Sequence, residues 1–424
     1  MKKKLIKKIV IVCIAIILIE LVAMLIIKIT RERSIDHVDL VNDLIKVSDG
    51  YISVGMSDFN DSKTIDKKIY EYTDSTTKKK TNIIANQAKI AKLDQDMNLV
   101  WENTIKNKYD STFYSVLEVS DGFIAVGSLV GKYEQIEVDT RDAIIVKYDL
   151  SGNLLWYKTY SVLSDTEFYK VIDDGDGNLV VIGQSIYENM ELGNHTTGGG
   201  IIVRYDKDGN MLDHNNYGGN KSGSFNDIIK VSDGYLVCGK DALNYGILVK
   251  FKKDFNRDEK DTNLISKKVL WQRTYSNTDN IGFTRMILLD KTIYVVGAIN
   301  VSNEKDDDGN TKFKYDAGIV LYNTSGKYLG KYSIENDTHH RFNSVILSDK
   351  ELILTGLMDV DNRESKDSLV MKFDLENKKF TDIEKKDYLI NKIVELDNKY
   401  LIGASQTKCS LYGCEYEPLI KEYK

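Results

Sequence analysis

Few residues in this chain sit at the spacings that catalysis requires. The five histidines, His37, His195, His214, His339 and His340, show no His-x-x-x-His or comparable metal-ligand interval. There is no Gly-x-Ser-x-Gly elbow and no phosphate-cradling glycine loop after a strand, so nucleophilic and nucleotide chemistry have no visible machinery. Oxygen-rich loops do occur: Asp173, Asp174, Asp176 and Asn178; Asp306, Asp307, Asp308 and Asn310; Asp359, Asp361 and Asn362. Calcium, which takes six to eight oxygen ligands, is the ion such loops would suit, although none has the EF-hand spacing. Solvated loops are the simpler reading, and no cofactor is expected.

Polar groups recurring at one structural position are more informative. Two residues after a repeated aromatic or aliphatic position come Asp43, Ser115, Lys170, Asp227, Arg285, Ser344 and Lys392. If they line a common channel they form a ring of mixed charge, able to hold a small ligand or to neutralise itself. A second series, Lys92, Lys147, Arg204, Lys250, Lys372 and Lys421, reads as intramolecular partners for turn aspartates. Tyr70, Tyr72, Tyr133, Tyr187, Tyr315 and Tyr412 fall in or beside variable loops, where tyrosine can stack on sugars or anchor a protein interface. The expected ligand-binding set is Tyr70, Tyr72, Tyr133, Tyr187 and Tyr315 with Asp43, Lys170, Asp227, Arg285 and Lys392.

The elements that must position these groups come from a repeat. A phrase of the form Ser-Asp-Gly-Phe-Ile-Ala-Val-Gly, clearest at residues 120–127, ends on Gly55, Gly127, Gly183, Gly239, Gly297, Gly356 and Gly403. The intervals of 72, 56, 56, 58, 59 and 47 residues mark an array of similar modules. Each module reads as four short strands rich in Val, Ile, Tyr and Phe, punctuated by turns in which Gly supplies positive φ and Asp caps the backbone. Seven such units predict an all-β, seven-bladed β-propeller, with ring closure removing open sheet edges, and a six-bladed ring with a damaged terminal unit as the alternative. The expected blades cover 41–111, 112–166, 167–223, 224–281, 282–340, 341–388 and 389–424. The last unit lacks a fourth strand, and Ile35–Leu40 is the expected strand that completes it. The second-to-third loops vary in length and occupy one face; the tight turns occupy the other.

The first 34 residues differ in kind. Lys2, Lys3, Lys4, Lys7 and Lys8 precede an apolar run from Ile9 to Ile27, closed by Lys28, Arg31 and Arg33. Nineteen residues of helix span roughly 28 Å, enough to cross a bilayer core. The run is longer than a signal-peptide core and no small-residue cleavage site follows it, so an uncleaved single-pass anchor is expected. The lysine bias places the N-terminus in the cytoplasm and residues 35–424 outside the membrane. Glu20, within the span, is a candidate contact for a partner helix. Removing the eight basic and two acidic residues of 1–34 from the chain's 58 and 64 leaves a net charge of −12 on residues 35–424. That balance excludes nucleic acid as a partner. Cys409 and Cys414 are spaced to bridge across a hairpin tip outside the cell, whereas Cys238 lies in a strand and reads as core.

Tyr-Asp-Leu-Ser-Gly-Asn-Leu-Leu-Trp at 148–156, of the form Asp-x-x-Gly-x-x-x-Trp, resembles the Asp…Gly…Trp phrase of PQQ-like repeats. With Ser-Asp-Gly-(Tyr/Phe)-x-x-x-Gly, the unit resembles bacterial extracytoplasmic β-propeller repeat proteins of the PQQ-like and WD40-like superfamily. Only Trp101, Trp156 and Trp271 hold the tryptophan place, so a full tryptophan girdle is not expected. The resemblance implies a fold rather than an activity. The expected function is that of a membrane-anchored, extracytoplasmic, non-catalytic binding or scaffold module for a protein or cell-envelope ligand. The alternative is a propeller enzyme acting on sugars or using a quinone cofactor.

Overall fold

Strand-forming segments separated by Ser-Asp-Gly and Asp-x-x-Gly-Asn turns favour antiparallel meanders, and a computed structural model of the chain shows them. It describes residues 40–58, 69–73, 80–84, 86–107, 109–133, 138–161, 165–189, 195–217, 223–241, 243–255, 268–275, 282–305, 311–334, 340–358, 367–396, 399–410 and 413–423. The chain divides into two units, 1–34 and 35–424, and every described residue belongs to the second. Glu20, Cys13 and the expected anchor segment lie outside the described residues. Among the described residues no helix is long and apolar enough to cross a membrane.

Six four-stranded antiparallel sheets follow one another, each ordered inner, second, third, outer. Their inner strands are Leu40–Val47, Ser111–Val119, Thr166–Asp173, Ser224–Val231, Phe283–Leu289 and His340–Ser348. A three-stranded sheet, Leu389–Leu396, Lys399–Ser410 and Gly413–Tyr423, comes last, and a separate two-stranded hairpin pairs Ile69–Thr73 with Lys80–Ile84. Apolar clusters fill the space between consecutive sheets. Phe113, Val116, Ile52 and Ile90 join sheets 1 and 2, and Val41, Leu44, Leu401 and Ile420 join the last sheet to the first. The described sheets therefore close into a β-propeller ring.

The blade count is corrected by these sheets: six four-stranded blades form, not seven. Among the described residues the seventh repeat yields three strands without a fourth, the place expected for Ile35–Leu40. Leu40, its last residue, pairs instead with Met56 inside sheet 1, while residues 35–39 lie outside the described set. The variable loops also differ from the irregular segments expected. Four continue as ladders beyond the sheets: Gly122–Tyr133 with Val138–Asp149, Leu179–Asn189 with His195–Tyr205, Thr292–Lys305 with Thr311–Asn323, and Lys399–Ser410 with Gly413–Tyr423. Paired backbone satisfies the N–H and C=O groups that an irregular loop would leave to water.

The recurring glycine has a specific cause. In every sheet the inner strand bulges one residue after its opening position, as at Val41/Asp43, Phe113/Ser115, Phe168/Lys170 and Ile390/Lys392. In the first six sheets the glycine faces that opening residue, and a Cβ on Gly127 would come within 1.9 Å of the Thr112 carbonyl oxygen. Only glycine lets the bulged strand approach so closely.

Between sheets, Trp101 covers the turn glycine Gly152, and Trp156 and Trp271 cover Gly209 and Gly326. The indole of Trp101 also donates to Leu150 O at 3.2 Å. Three residues of the third-strand basic series pair with turn aspartates as expected: Lys92–Asp49 at 2.7 Å, Lys147–Asp121 at 2.8 Å and Lys250–Asp233 at 2.8 Å. Arg204 differs, reaching Asp213 at 2.7 Å and Asp174 at 3.4 Å.

Candidate functional site at the hairpin end of the channel

The bulge residues Asn42, Tyr114, Tyr169, Asn226, Thr284, Asn343 and Asn391 converge on a cavity of about 340 Å³ at the channel, which Arg285, Arg341 and Leu357 also line. A bulge adds a residue and re-aims side chains, so these groups face the channel from all seven inner strands. Five of them stitch each sheet to the next. Asn42 Nδ2 donates to Phe113 O at 2.7 Å, Asn226 Nδ2 to Phe283 O at 2.7 Å, and Thr284 Oγ1 to Phe342 O at 2.6 Å. Asn343 Nδ2 donates to Ile390 O at 2.6 Å, and Asn391 Nδ2 to Val41 O at 2.9 Å, which shuts the ring.

Tyr114 and Tyr169 break the pattern. Their rings meet edge-on at 5.3 Å, and both hydroxyls donate to the buried carboxylate of Glu167, at 3.3 and 2.5 Å. Glu167 also receives Gln184 at 2.9 Å and Arg141 at 3.1 Å. Burial, reinforced by the Glu167 charge, pushes both phenols well above their ordinary pKa. They therefore stay protonated and act as donors.

One residue further toward the tight turns lies the mixed-charge ring. Asp43, only 2% exposed, accepts Lys392 Nζ at 2.9 Å, Ser115 Oγ at 3.0 Å and Val116 N at 3.1 Å, with Lys170 Nζ at 3.8 Å. Burial alone would raise its pKa; the charges of Lys392 and Lys170 overcome that and hold the carboxyl well below the usual range. Burial lowers the Lys170 pKa, with Asp43 opposing. Asp227 accepts Met286 N at 2.9 Å, and Arg285 donates to the carbonyls of Asn226 and Thr284 at 3.0 and 2.9 Å.

The expected ring residues Asp43, Lys170 and Lys392 are thus brought together, chiefly to neutralise one another, while Arg285 also reaches the cavity. The expected tyrosines Tyr70, Tyr72, Tyr133, Tyr187 and Tyr315 are placed by strand register. Each lies on a strand of a projecting hairpin, opposite Ile83, Thr81, Val138, Thr197 and Val301 respectively. Tyr412 lies outside the described residues. Cys409 and Cys414 face each other in register, as a bridge across the hairpin tip requires. Cys238 is buried and free.

The acidic loop at 173–178 is spoken for. The Asp174 carboxylate accepts the Tyr235 hydroxyl at 2.5 Å, and Asp176 pairs with Lys253 at 2.5 Å. The acidic loops at 306–310 and 359–362 lie outside the described residues. The groups missed by sequence are the bulge residues and Arg341. The signal was present: a glycine inside a strand marks a bulge, and a bulge adds the preceding position to the channel.

No protein-family model matches the chain, and no curated protein matches it in sequence. Solved structures are similar only distantly. A protein of unknown function from Bacteroides caccae is 16% identical over 70% of this chain and 90% of its own, with a TM-score of 0.42. Saccharomyces cerevisiae Sqt1 is 9% identical, covering 93% and 97%, at 0.44. The β-propeller domain of the Trilobed protease from Pyrococcus furiosus is 9% identical, covering 92% and 96%, at 0.40. None of these matches places the chain in the PQQ-like family that its repeats resemble, and the architecture rests on the sheets themselves.

Proposed function

We propose that the protein is a membrane-anchored, extracytoplasmic binding or scaffold module that holds a protein or cell-envelope ligand on its hairpin face. The observation that carries this reading is the one-sided extension of the second-to-third hairpins of sheets 2, 3, 5 and 7 past the ring, at the end where the cavity opens. A ring stitched by inter-sheet hydrogen bonds provides a fixed platform, and recognition on such platforms concentrates on what projects from them. The apolar run Ile9–Ile27 supports the anchor, and the net charge of −12 on residues 35–424 favours basic or neutral partners.

Two measurements test this. Alkaline extraction of membranes should leave the full chain in the membrane fraction; release into the soluble fraction would sink the anchor. Capture from the protein's own detergent-solubilised membranes, with and without residues 59–85, should lose partners when that segment is removed. Identical captures from both forms would remove this hairpin from the recognition surface.

A further inference from the structure

The cavity carries positive charge that the described residues do not balance. Arg341 lines it from the inner strand of sheet 6, beside Asn343 and opposite Leu357 in register. Its Nε is buried without a hydrogen-bond partner, and among the described residues the side chain has no ion pair. Burial lowers its pKa with no carboxylate acting in the opposite direction. Lys240, half-buried at the end of the second strand of sheet 4, lies outside the cavity lining but close enough to feel the Arg341 charge. Its pKa is lowered by burial and then by the Arg341 charge, and it has no carboxylate partner among the described residues.

The acidic groups nearby are committed elsewhere. Asp43 is held by Lys392 and Lys170, and Glu167 by Arg141, Gln184 and the two tyrosines, while Asp227 lies on the Arg285 and Lys170 side of the ring and accepts the Met286 amide. A guanidinium cannot escape its burial cost by losing its proton, and a partly buried charge whose Nε lacks a partner is stabilised by one. Hydrogen-bond donors converge on the same space. Asn226, Asn343 and Asn391 each spend one amide hydrogen on the inter-sheet stitch and retain a second. Arg285 lies in the same wall.

We propose that this cavity is a binding site for a small oxyanion, a carboxylate or phosphate group carried by a small molecule, anchored by Arg341 and assisted by Lys240, Arg285 and the free amide hydrogens of the bulge asparagines. Guanidinium forks match the two oxygens of such a group. A volume of about 340 Å³ suits a small molecule. The acidic ectodomain repels extended polyanions yet admits a compact anion to a locally basic pocket. This site is separate from the hairpin recognition surface and does not depend on it.

The test uses the purified full chain in detergent. Thermal unfolding and calorimetric titration are run with sodium phosphate and with sodium acetate, against sodium chloride at matched ionic strength. The wild type should be stabilised saturably by phosphate, by acetate or by both, the responding arm identifying the group. Arg341→Met should melt higher than wild type without anion, because an uncompensated charge is gone, and should lose affinity at least about tenfold. Lys240→Gln, a milder change outside the cavity wall, should lose a smaller part. Absence of any anion-specific response in the wild type, or its full retention in Arg341→Met, would overturn the proposal.

Discussion

At the scale of single residues, Asp43 is the most committed charge in the channel. Removing one partner of a buried ion pair leaves the other uncompensated, typically at about 3 kcal/mol or more. Asp43→Asn should lose stability of that order in chemical denaturation, by stranding Lys392 and Lys170. Adding Lys392→Met should recover part of the loss. The pH dependence has a definite sign. The folded carboxyl titrates below its unfolded value of about 3.9, so its stabilisation is complete above roughly pH 4 and drains away as pH falls toward the lower folded value. Denaturation curves between pH 5 and 3 should show a flatter acid limb for Asp43→Asn than for wild type. An unchanged acid slope would mean that other carboxylates dominate.

At the scale of elements, the bulge is what turns a strand into a channel wall. Gly127→Ala would force a Cβ into the Thr112 carbonyl, so we expect loss of several kcal/mol or failure to fold. Gly177→Ala is the control: nothing lies within 4 Å of its added Cβ, and the cost is only that of a positive φ. The stitch between sheets is a second element-level device. Asn391→Ala removes the hydrogen bond to Val41 O, worth about 1 kcal/mol and more if that carbonyl stays dry. Amide exchange should quicken in Leu40–Val47 and Leu389–Leu396 before it does in Ser224–Val231. Uniform exchange across the ring would show that the seam holds no more than any other contact.

For the whole molecule, closure falls to the least complete sheet. The three-stranded sheet bears both the Asn391 stitch and the Leu401–Ile420 packing against Val41 and Leu44. Truncation after residue 411 removes Gly413–Tyr423 and bares that interface. It should lower the melting temperature of the whole ring in one transition, rather than melt one sheet and spare six, because each core cluster is shared by neighbours. A separate low-temperature transition in calorimetry would show that the last sheet is an appendage. Deleting residues 306–310, between two paired strands, should leave stability within about 0.5 kcal/mol of wild type.

The sequence by itself determined the module: its period, its strands, its turn glycines, the Lys–Asp pairs of the third strand and the polar ring at Asp43, Lys170 and Lys392. These are local, repeated at fixed offsets, and follow from strand alternation and turn chemistry. Tertiary structure decided the rest. Six four-stranded blades rather than seven show in the pairing of whole sheets, where Leu40 opens the inner strand of sheet 1. The bulge shifts the channel lining to Asn42, Tyr114 and their equivalents, one position from where strict alternation points. Arg341 became visible as an unbalanced cation only when residues hundreds of positions apart were brought round one axis, because charge balance belongs to the enclosed space and not to the chain.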